Sequence, residues 1–202
     1  SSNEARSYIK SRGLKLKDVQ NFKIGFVTNG VDFYDYLLQK FNEQDLKNSG
    51  IFYFDEKKQK NVNRFKERII FPIKNISGDV IAIGGRAIKE NSYQAKYINS
   101  PETQFFKKGS NLYNLDKSRK LSNQMDYVYL VEGYMDVIGL YKNNIQNVVA
   151  NLGTALTPRQ ISVLNQFFNN LIICFDGDES GYKAALRAAE NSIIELKPEK
   201  KI

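Results

Sequence analysis

Two short acidic strings mark where this 202-residue chain could do chemistry: Glu132-Gly133-Tyr134-Met135-Asp136 and Asp176-Gly177-Asp178-Glu179. Each follows directly on an apolar run, 127–131 (YVYLV) in the first case and 171–175 (LIICF) in the second. Short apolar runs closed by acid and glycine read as strands of a parallel sheet, and ligands of such sheets collect outside the carboxyl ends of the strands. Adjacent strands bring Glu132 to the rim that carries Asp176 and Asp178, where crowded carboxylates need a cation to stay ionised together. The chain has no histidine and one cysteine, so the ligands are hard oxygens, which suit Mg²⁺ or Mn²⁺. Ions held this way serve phosphoryl and nucleotidyl transfer, and Glu132 is a candidate acceptor for the proton of an attacking hydroxyl. Alone, Asp-Gly-Asp is a turn and a helix N-cap. With a strand-end Glu-Gly two strands earlier, the pattern is far more specific.

Composition narrows the field further. The absence of histidine removes His-bearing triads and the usual zinc ligands, and Cys174 alone makes neither an internal disulfide nor a cysteine-rich zinc cluster. Cys174 lies in an apolar run without a basic neighbour in sequence, so a small buried hydrophobe is expected. No apolar run approaches the roughly 18 residues of a spanning helix, and the start of the chain has no signal-like stretch, so a cytoplasmic protein without membrane contact is expected. Residues 1–120 hold 23 basic and 13 acidic side chains, whereas the rest holds 7 and 9. A basic half suits a polyanion and an acidic half presents carboxylates, although lysine also simply keeps a surface soluble.

The elements that must position these acids are legible from residue 121 onward. Strand 127–131, helix 135–142, strand 148–150, a helix from Thr157-Pro158 to residue 167, strand 171–175 and an alanine-rich helix 180–196 alternate regularly. That rhythm predicts an α/β fold, a parallel sheet with helices on both faces. Ahead of it a basic, mixed α+β region is expected. It starts with a helix capped by Ser2 or Asn3 and stopped at Gly13, with Ala5, Tyr8 and Ile9 on one face. A brief strand or turn at 22–26 follows, then a helix 32–41 with Phe33, Leu37 and Phe41 as a buried stripe. Next come an aromatic strand 51–54 with a solvated hairpin loop 55–60, and a hairpin in which Ile69, Phe71 and Ile73 alternate before the turn at 75–79. Its return strand 80–83 leads to Gly84-Gly85. Residues 96–108 read as a long ordered loop and 116–126 as a polar connector, which divides the chain into 1–116 and 117–202.

Glu132-Gly133 after one strand, Asn151-Leu152-Gly153-Thr154 after the next and Asp176-Gly177-Asp178 after a third resemble the TOPRIM domain of topoisomerases, recombination nucleases and bacterial primases. Longer strings resemble one branch, the bacterial DnaG-type replicative primases: EGYMDVIGL (132–140), LGTALT (152–157), FDGDESGYKAALRA (175–188), ERIIFPIKNISGDVIAIGGRAI (67–88), KYINSPETQFFKKGSNLYNL (96–115), YIKSRGL (8–14) and IGFV (24–27). The resemblance covers nearly the whole chain. It implies a catalytic-core fragment that makes short RNA primers on single-stranded DNA from ribonucleoside triphosphates, with two or more Mg²⁺ or Mn²⁺ ions. It further implies that Glu132, Asp136, Asp176 and Asp178 are the catalytic acids, with Glu132, Asp176 and Asp178 as metal ligands. Arg12, Arg86, Lys96 and Lys108 are then the residues that contact nucleotide phosphates, template or the RNA–DNA product. Gly84-Gly85-Arg86 lets backbone approach a phosphate beside a forked donor. Asn99 and Ser100, with Thr103, either assist that binding loop or only satisfy its backbone. Tyr97, Phe105 and Phe106 are expected to anchor the loop rather than stack bases.

Further implications concern what lies elsewhere. The zinc module of such primases needs Cys and His and is not present here, so no zinc is expected. The early part of the amino-terminal subdomain and the strand with a second Asp-x-Asp pair are also lacking, so the chain reads as a weakly active fragment, truncated within its TOPRIM domain. The replicative helicase and single-strand-binding protein would be met through other regions, at a nucleoid-associated replication fork in the cytoplasm. A TOPRIM nuclease or topoisomerase, and a degenerate nucleic-acid-binding module, are the competing readings. The Ser-Pro-Glu-Thr and Gly-Gly-Arg strings favour primase over the first, and the intact acids argue against the second.

Overall fold

The computed structural model describes residues 2–28, 33–89, 94–195 and 198–202. By its contacts the chain divides into two compact units, Ser1–Ile73 with Ile81–Phe105 and Lys74–Val80 with Phe106–Ile202.

The first unit is mixed: α1 (Ser2–Ser11), α2 (Leu16–Asn21), β1 (Gly25–Phe26), α3 (Phe33–Leu38), α4 (Glu43–Asn48), β2 (Phe52–Asp55), β3 (Lys60–Asn63), β4 (Arg68–Lys74), β5 (Val80–Ala87) and β6 (Tyr97–Asn99). Four of its strands form a sheet in the order β1-β4-β5-β6, and β2-β3 is a separate hairpin. The alternation of Ile69, Phe71 and Ile73 does bury one face of β4. The helix expected over 32–41 is shorter: Asp32 lies outside the described residues and α3 ends at Leu38. With fewer than two turns, no i, i+4, i+8 stripe exists. Tyr34 packs against Leu46 and Phe52 instead, while Phe33 and Phe41 are exposed. Two short helices have no counterpart in the expectation. In α2 the Lys15 N–H donates to the Asp18 carboxylate at 2.8 Å, and in α4 the Asp45 N–H donates to Asn42 Oδ1 at 2.7 Å. The expected loop 96–108 contains β6, paired antiparallel with β5.

After Phe106 the second unit has a tight turn at Lys108–Ser110 and α5 (Leu115–Ser118), so the polar connector expected over 116–126 is partly helical and buries Asp116 and Ser118. Then follow β7 (Tyr127–Val131), α6 (Tyr134–Lys142), β8 (Val148–Ala150), α7 (Pro158–Leu164), β9 (Asn170–Ile173) and α8 (Glu179–Ile193). The three strands are parallel in the order β8-β7-β9. The chain leaves β7 toward one side, then crosses back over it to β9. Right-handed crossovers in opposite directions put α6 on one face and α7 on the other. Core packing agrees: Ile161 and Leu164 of α7 and Ala188 of α8 cluster with Val128, Leu130, Val149 and Leu171.

Two expectations for this unit are corrected. α7 stops at Leu164 rather than 167. The run 171–175 is not buried throughout, because β9 is an edge of this sheet: Ile172 and Cys174 are exposed, so Cys174 is not a core hydrophobe. Near the end of the chain, Lys201 bridges Asn170 in parallel, with its N–H on the Asn169 carbonyl at 2.8 Å.

Candidate active site

Strand β7 is central: the connection leaving it runs to β8 on one side, while β9 lies on its other side, so the order of the strands reverses at β7 and a crevice is expected beyond its carboxyl end. Glu132 follows β7 at this switch point, and Asp176 follows the neighbouring β9. The two are joined directly, the Asp176 N–H donating to Glu132 Oε1 at 2.9 Å. Asp178 is the N-cap of α8, where its Oδ1 accepts the Gly181 N–H at 2.7 Å. Asp136, in the first turn of α6, accepts the Gly133 N–H at 2.9 Å, which fixes the turn between β7 and α6. Burial, followed by repulsion from Asp176 and Glu132, raises the Asp136 carboxyl above its ordinary range. The backbone therefore uses one oxygen of Glu132, Asp136 and Asp178 for position.

A cavity of about 260 Å³ opens beside Glu132, lined also by Asn151, Gly153, Thr154, Phe175 and Arg187. Asn151 is buried, and its Oδ1 has no hydrogen-bond partner within the protein. Neither Asn151 nor Arg187 was singled out by motif reasoning as a lining group. The available signals were a polar residue ending an apolar strand and an arginine on the face of α8 that turns back over the rim.

The basic candidates are placed differently from one another. Arg86 is only 2% exposed, its guanidinium 4.4 Å from the Tyr8 ring centre and 5.4 Å from that of Tyr97. Arg12 is exposed, lies over Tyr8 at 5.4 Å and donates from Nε to its hydroxyl at 3.0 Å. Gly84-Gly85 does not form an open tip but lies inside β5 paired to β6, and a Cβ on Gly85 would sit 2.6 Å from Phe65 Cδ1. The glycine thus serves the Phe65 ring, not a phosphate. Lys96 is exposed at the start of β6, and Asn99 is half-buried within it. Ser100 is 1% exposed, and its Oγ accepts the Ile83 N–H at 3.1 Å, so its hydroxyl is engaged by the backbone of β5. Of the loop aromatics, Phe106 is a buried anchor, whereas Phe105 is exposed. In the second unit, Lys108 is half-buried in a turn whose carbonyls are held by Gln160: its Nε2 donates to the carbonyls of Lys108 at 3.0 Å and Asn111 at 2.8 Å.

Among the described residues no three acidic side chains converge tightly enough to enclose a metal ion. Glu132, Asp176 and Asp178 supply exposed oxygens of the hard kind that a divalent cation takes, and the Asp136 carboxyl feels repulsion from Asp176 and Glu132.

Comparisons with known proteins bear on the family and the fold. The family model described as DNA primase catalytic core, N-terminal domain, matches residues 1–119, and that of the Toprim domain matches 126–202. A DNA primase from Pseudomonas aeruginosa is 37% identical over 98% of this chain, and one from Lactococcus lactis is 40% identical over 92%. The chain spans 30% and 29% of the lengths of those relatives. A solved DNA primase domain from Pseudomonas aeruginosa superposes with a TM-score of 0.87 at 38% identity, covering 97% of this chain and 61% of that one. A DnaG primase catalytic domain bound to single-stranded DNA superposes with a TM-score of 0.85 at 36% identity, covering 98% and 61%. The match over 1–119 separates this chain from TOPRIM nucleases and topoisomerases. With a primase-core model matched over 1–119, a Toprim model over 126–202 and DNA primases matched over nearly the whole chain, the chain belongs to the bacterial DnaG-type DNA primase family.

Proposed function

We propose that this chain is the part of a primase that joins ribonucleoside triphosphates into short RNA primers on single-stranded DNA. The observation that carries the reading is the pairing of Glu132 with Asp176 across two adjacent strand ends, beside Asp136 and Asp178. Glu132 Oε1 is engaged by the Asp176 N–H, which leaves Oε2 to accept the proton of the attacking 3′-hydroxyl. Asp176 and Asp178, with Glu132, would hold Mg²⁺ or Mn²⁺, which when bound lowers the pKa of a coordinated hydroxyl and offsets charge on the leaving pyrophosphate. Asp136 keeps the β7–α6 turn closed and so keeps Glu132 aimed at the crevice.

Arg12, Lys96 and Lys108 are proposed to hold phosphates of nucleotide, template or product, with Asn99 beside Lys96. Arg86 fits that role only through its stack with Tyr8 and Tyr97. Binding of single-stranded DNA is supported by the complex formed by a structural neighbour. Contacts with a replicative helicase and a single-strand-binding protein, and action at the fork in the cytoplasm, rest on family likeness alone.

The test is nucleotide incorporation on a single-stranded template by the full-length protein. Glu132→Gln keeps shape but removes charge and base, so synthesis is expected to fall at least 100-fold, in line with the loss of a general base, while DNA binding stays within about twofold. Asp176→Asn and Asp178→Asn are expected to recover in part with added Mn²⁺, and Glu132→Gln not to recover. Full synthesis by all three variants would remove the carboxylate rim as the active site.

A further inference from the structure

The candidate ligands stand on different supports. Asp176 is tied to the strands, because its N–H is held by Glu132 at the end of β7. Asp178 is tied to α8, because its Oδ1 is held by the Gly181 N–H in the first turn of that helix. Gly181 is where the two supports meet. It is buried, and a Cβ built on it would overlap the Asp176 carbonyl oxygen, with the Asp176 C and N only 2.9 and 3.0 Å away. These are backbone atoms, so no side-chain rotation relieves the overlap. The bare Cα of Gly181 therefore lets the first turn of α8 lie flat on the Asp176 peptide, while its N–H fixes the Asp178 carboxylate.

We propose that Gly181 is the positioning residue that sets the distance between the Asp176 and Asp178 carboxylates for a shared divalent cation. The inference rests on the metal-binding reading above and adds to it the residue that couples the two acids. A methyl group at 181 forces α8 away from the 175–177 loop. Asp178 then moves with the helix, Asp176 stays with Glu132, and the pair loses its register although both carboxylates remain.

The test measures binding of Mn²⁺ alone to the full-length protein, from the free-ion signal in electron paramagnetic resonance. Gly181→Ala is expected to weaken Mn²⁺ binding about 10–100-fold, the usual loss when a group orienting a ligand is removed. Gly139→Ala, in α6, where a Cβ meets nothing within 4 Å, is expected to leave it unchanged. If Asp176→Asn does not weaken Mn²⁺ binding, the metal reading itself fails. If Asp176→Asn weakens it and a folded Gly181→Ala does not, only the role of Gly181 falls. A Gly181→Ala protein that melts earlier but binds Mn²⁺ normally likewise reduces Gly181 to a packing residue. Should Gly181→Ala not fold, hydrogen exchange of the unaltered protein decides: Mg²⁺ is expected to slow the Asp176 and Gly181 amides together, and slowing of neither, or of one alone, overturns the proposal.

Discussion

Lys117 shows how one side chain can tie stability to pH. It is half-buried in α5, its Nζ 5.1 Å from the centre of the Tyr141 ring. Burial lowers its pKa from 10.5 to about 8. Asp116 opposes that effect, and Lys74 and Lys120 add to it. Asp116 is itself shared, since Lys74 Nζ approaches its Oδ2 at 3.5 Å. The unfolded chain keeps the Lys117 proton up to about pH 10.5, whereas the folded chain releases it near pH 8. Between those values the unfolded state binds more protons, so this group makes folding more favourable as pH rises, and below pH 8 the cost of its buried charge is present in full. Lys117→Met keeps the apolar stem and removes the charge. It is expected to stabilise the protein by about 1 kcal/mol at pH 7, a value discounted for solvent screening of a half-exposed group. The gain should shrink toward zero as pH approaches 10.5. Urea midpoints for both proteins at pH 7, 8.5 and 10 check this, and parallel curves would mean that Lys117 is solvated like an ordinary surface lysine.

Among the elements, α7 carries more than its length suggests. The Thr157-Pro158 start was legible as an N-cap and N1 pair, and Gln160 completes the cap by accepting the Thr157 N–H at 3.0 Å. What the motif does not reveal is that the same fully buried Gln160 holds the carbonyls of Lys108 and Asn111, some fifty positions earlier in the chain. Gln160→Ala removes three hydrogen bonds and leaves two partly buried carbonyls without that donor, so a loss of about 2–4 kcal/mol is expected from urea denaturation. A loss under 1 kcal/mol would mean that water replaces the amide. The pattern is general here. The three parallel strands and the β4–β5 hairpin were readable because apolar runs and alternation extend over several residues. α2, α4 and α5 were not, since helices of four to six residues show no period. β6 is three residues long and is defined only by its partner β5. At the candidate site, Asp136 and Asp178 have their backbone partners, Gly133 and Gly181, within three residues, whereas the pairing of Glu132 with Asp176 spans 44 positions and needed the order of the strands. The stack of Arg12, Tyr8, Arg86 and Tyr97 was not, because it joins a helix to two strands far along the chain.

For the whole molecule, the uneven charge decides what kind of ligand can be held and how its binding responds to salt. Residues 1–120 carry 23 basic and 13 acidic side chains, while the acid rim belongs to the remainder, with 7 and 9. If single-stranded DNA is held by the basic part, each phosphate neutralised releases counterions, and log affinity falls against log salt by about 0.7 per contact. Arg12→Ala and Lys96→Ala change exposed cations and should each lower affinity with a slope shallower by about 0.7, leaving the melting temperature within 1–2 °C, as surface substitutions usually do. Arg86→Ala is a different experiment. It empties the space between two tyrosine rings, so its loss of affinity should come with a lower melting temperature, and the stack rather than a phosphate accounts for part of it. Acidic variants give the opposite sign: Asp176→Asn and Asp178→Asn, measured without metal, remove negative charge and should leave DNA affinity unchanged or higher. Fluorescence anisotropy of a labelled oligonucleotide between 50 and about 300 mM salt, a range that spans the steep part of such curves, separates these cases. A slope that neither Arg12→Ala nor Lys96→Ala alters would place the nucleic acid on cations other than these, whatever the acids of the TOPRIM rim do.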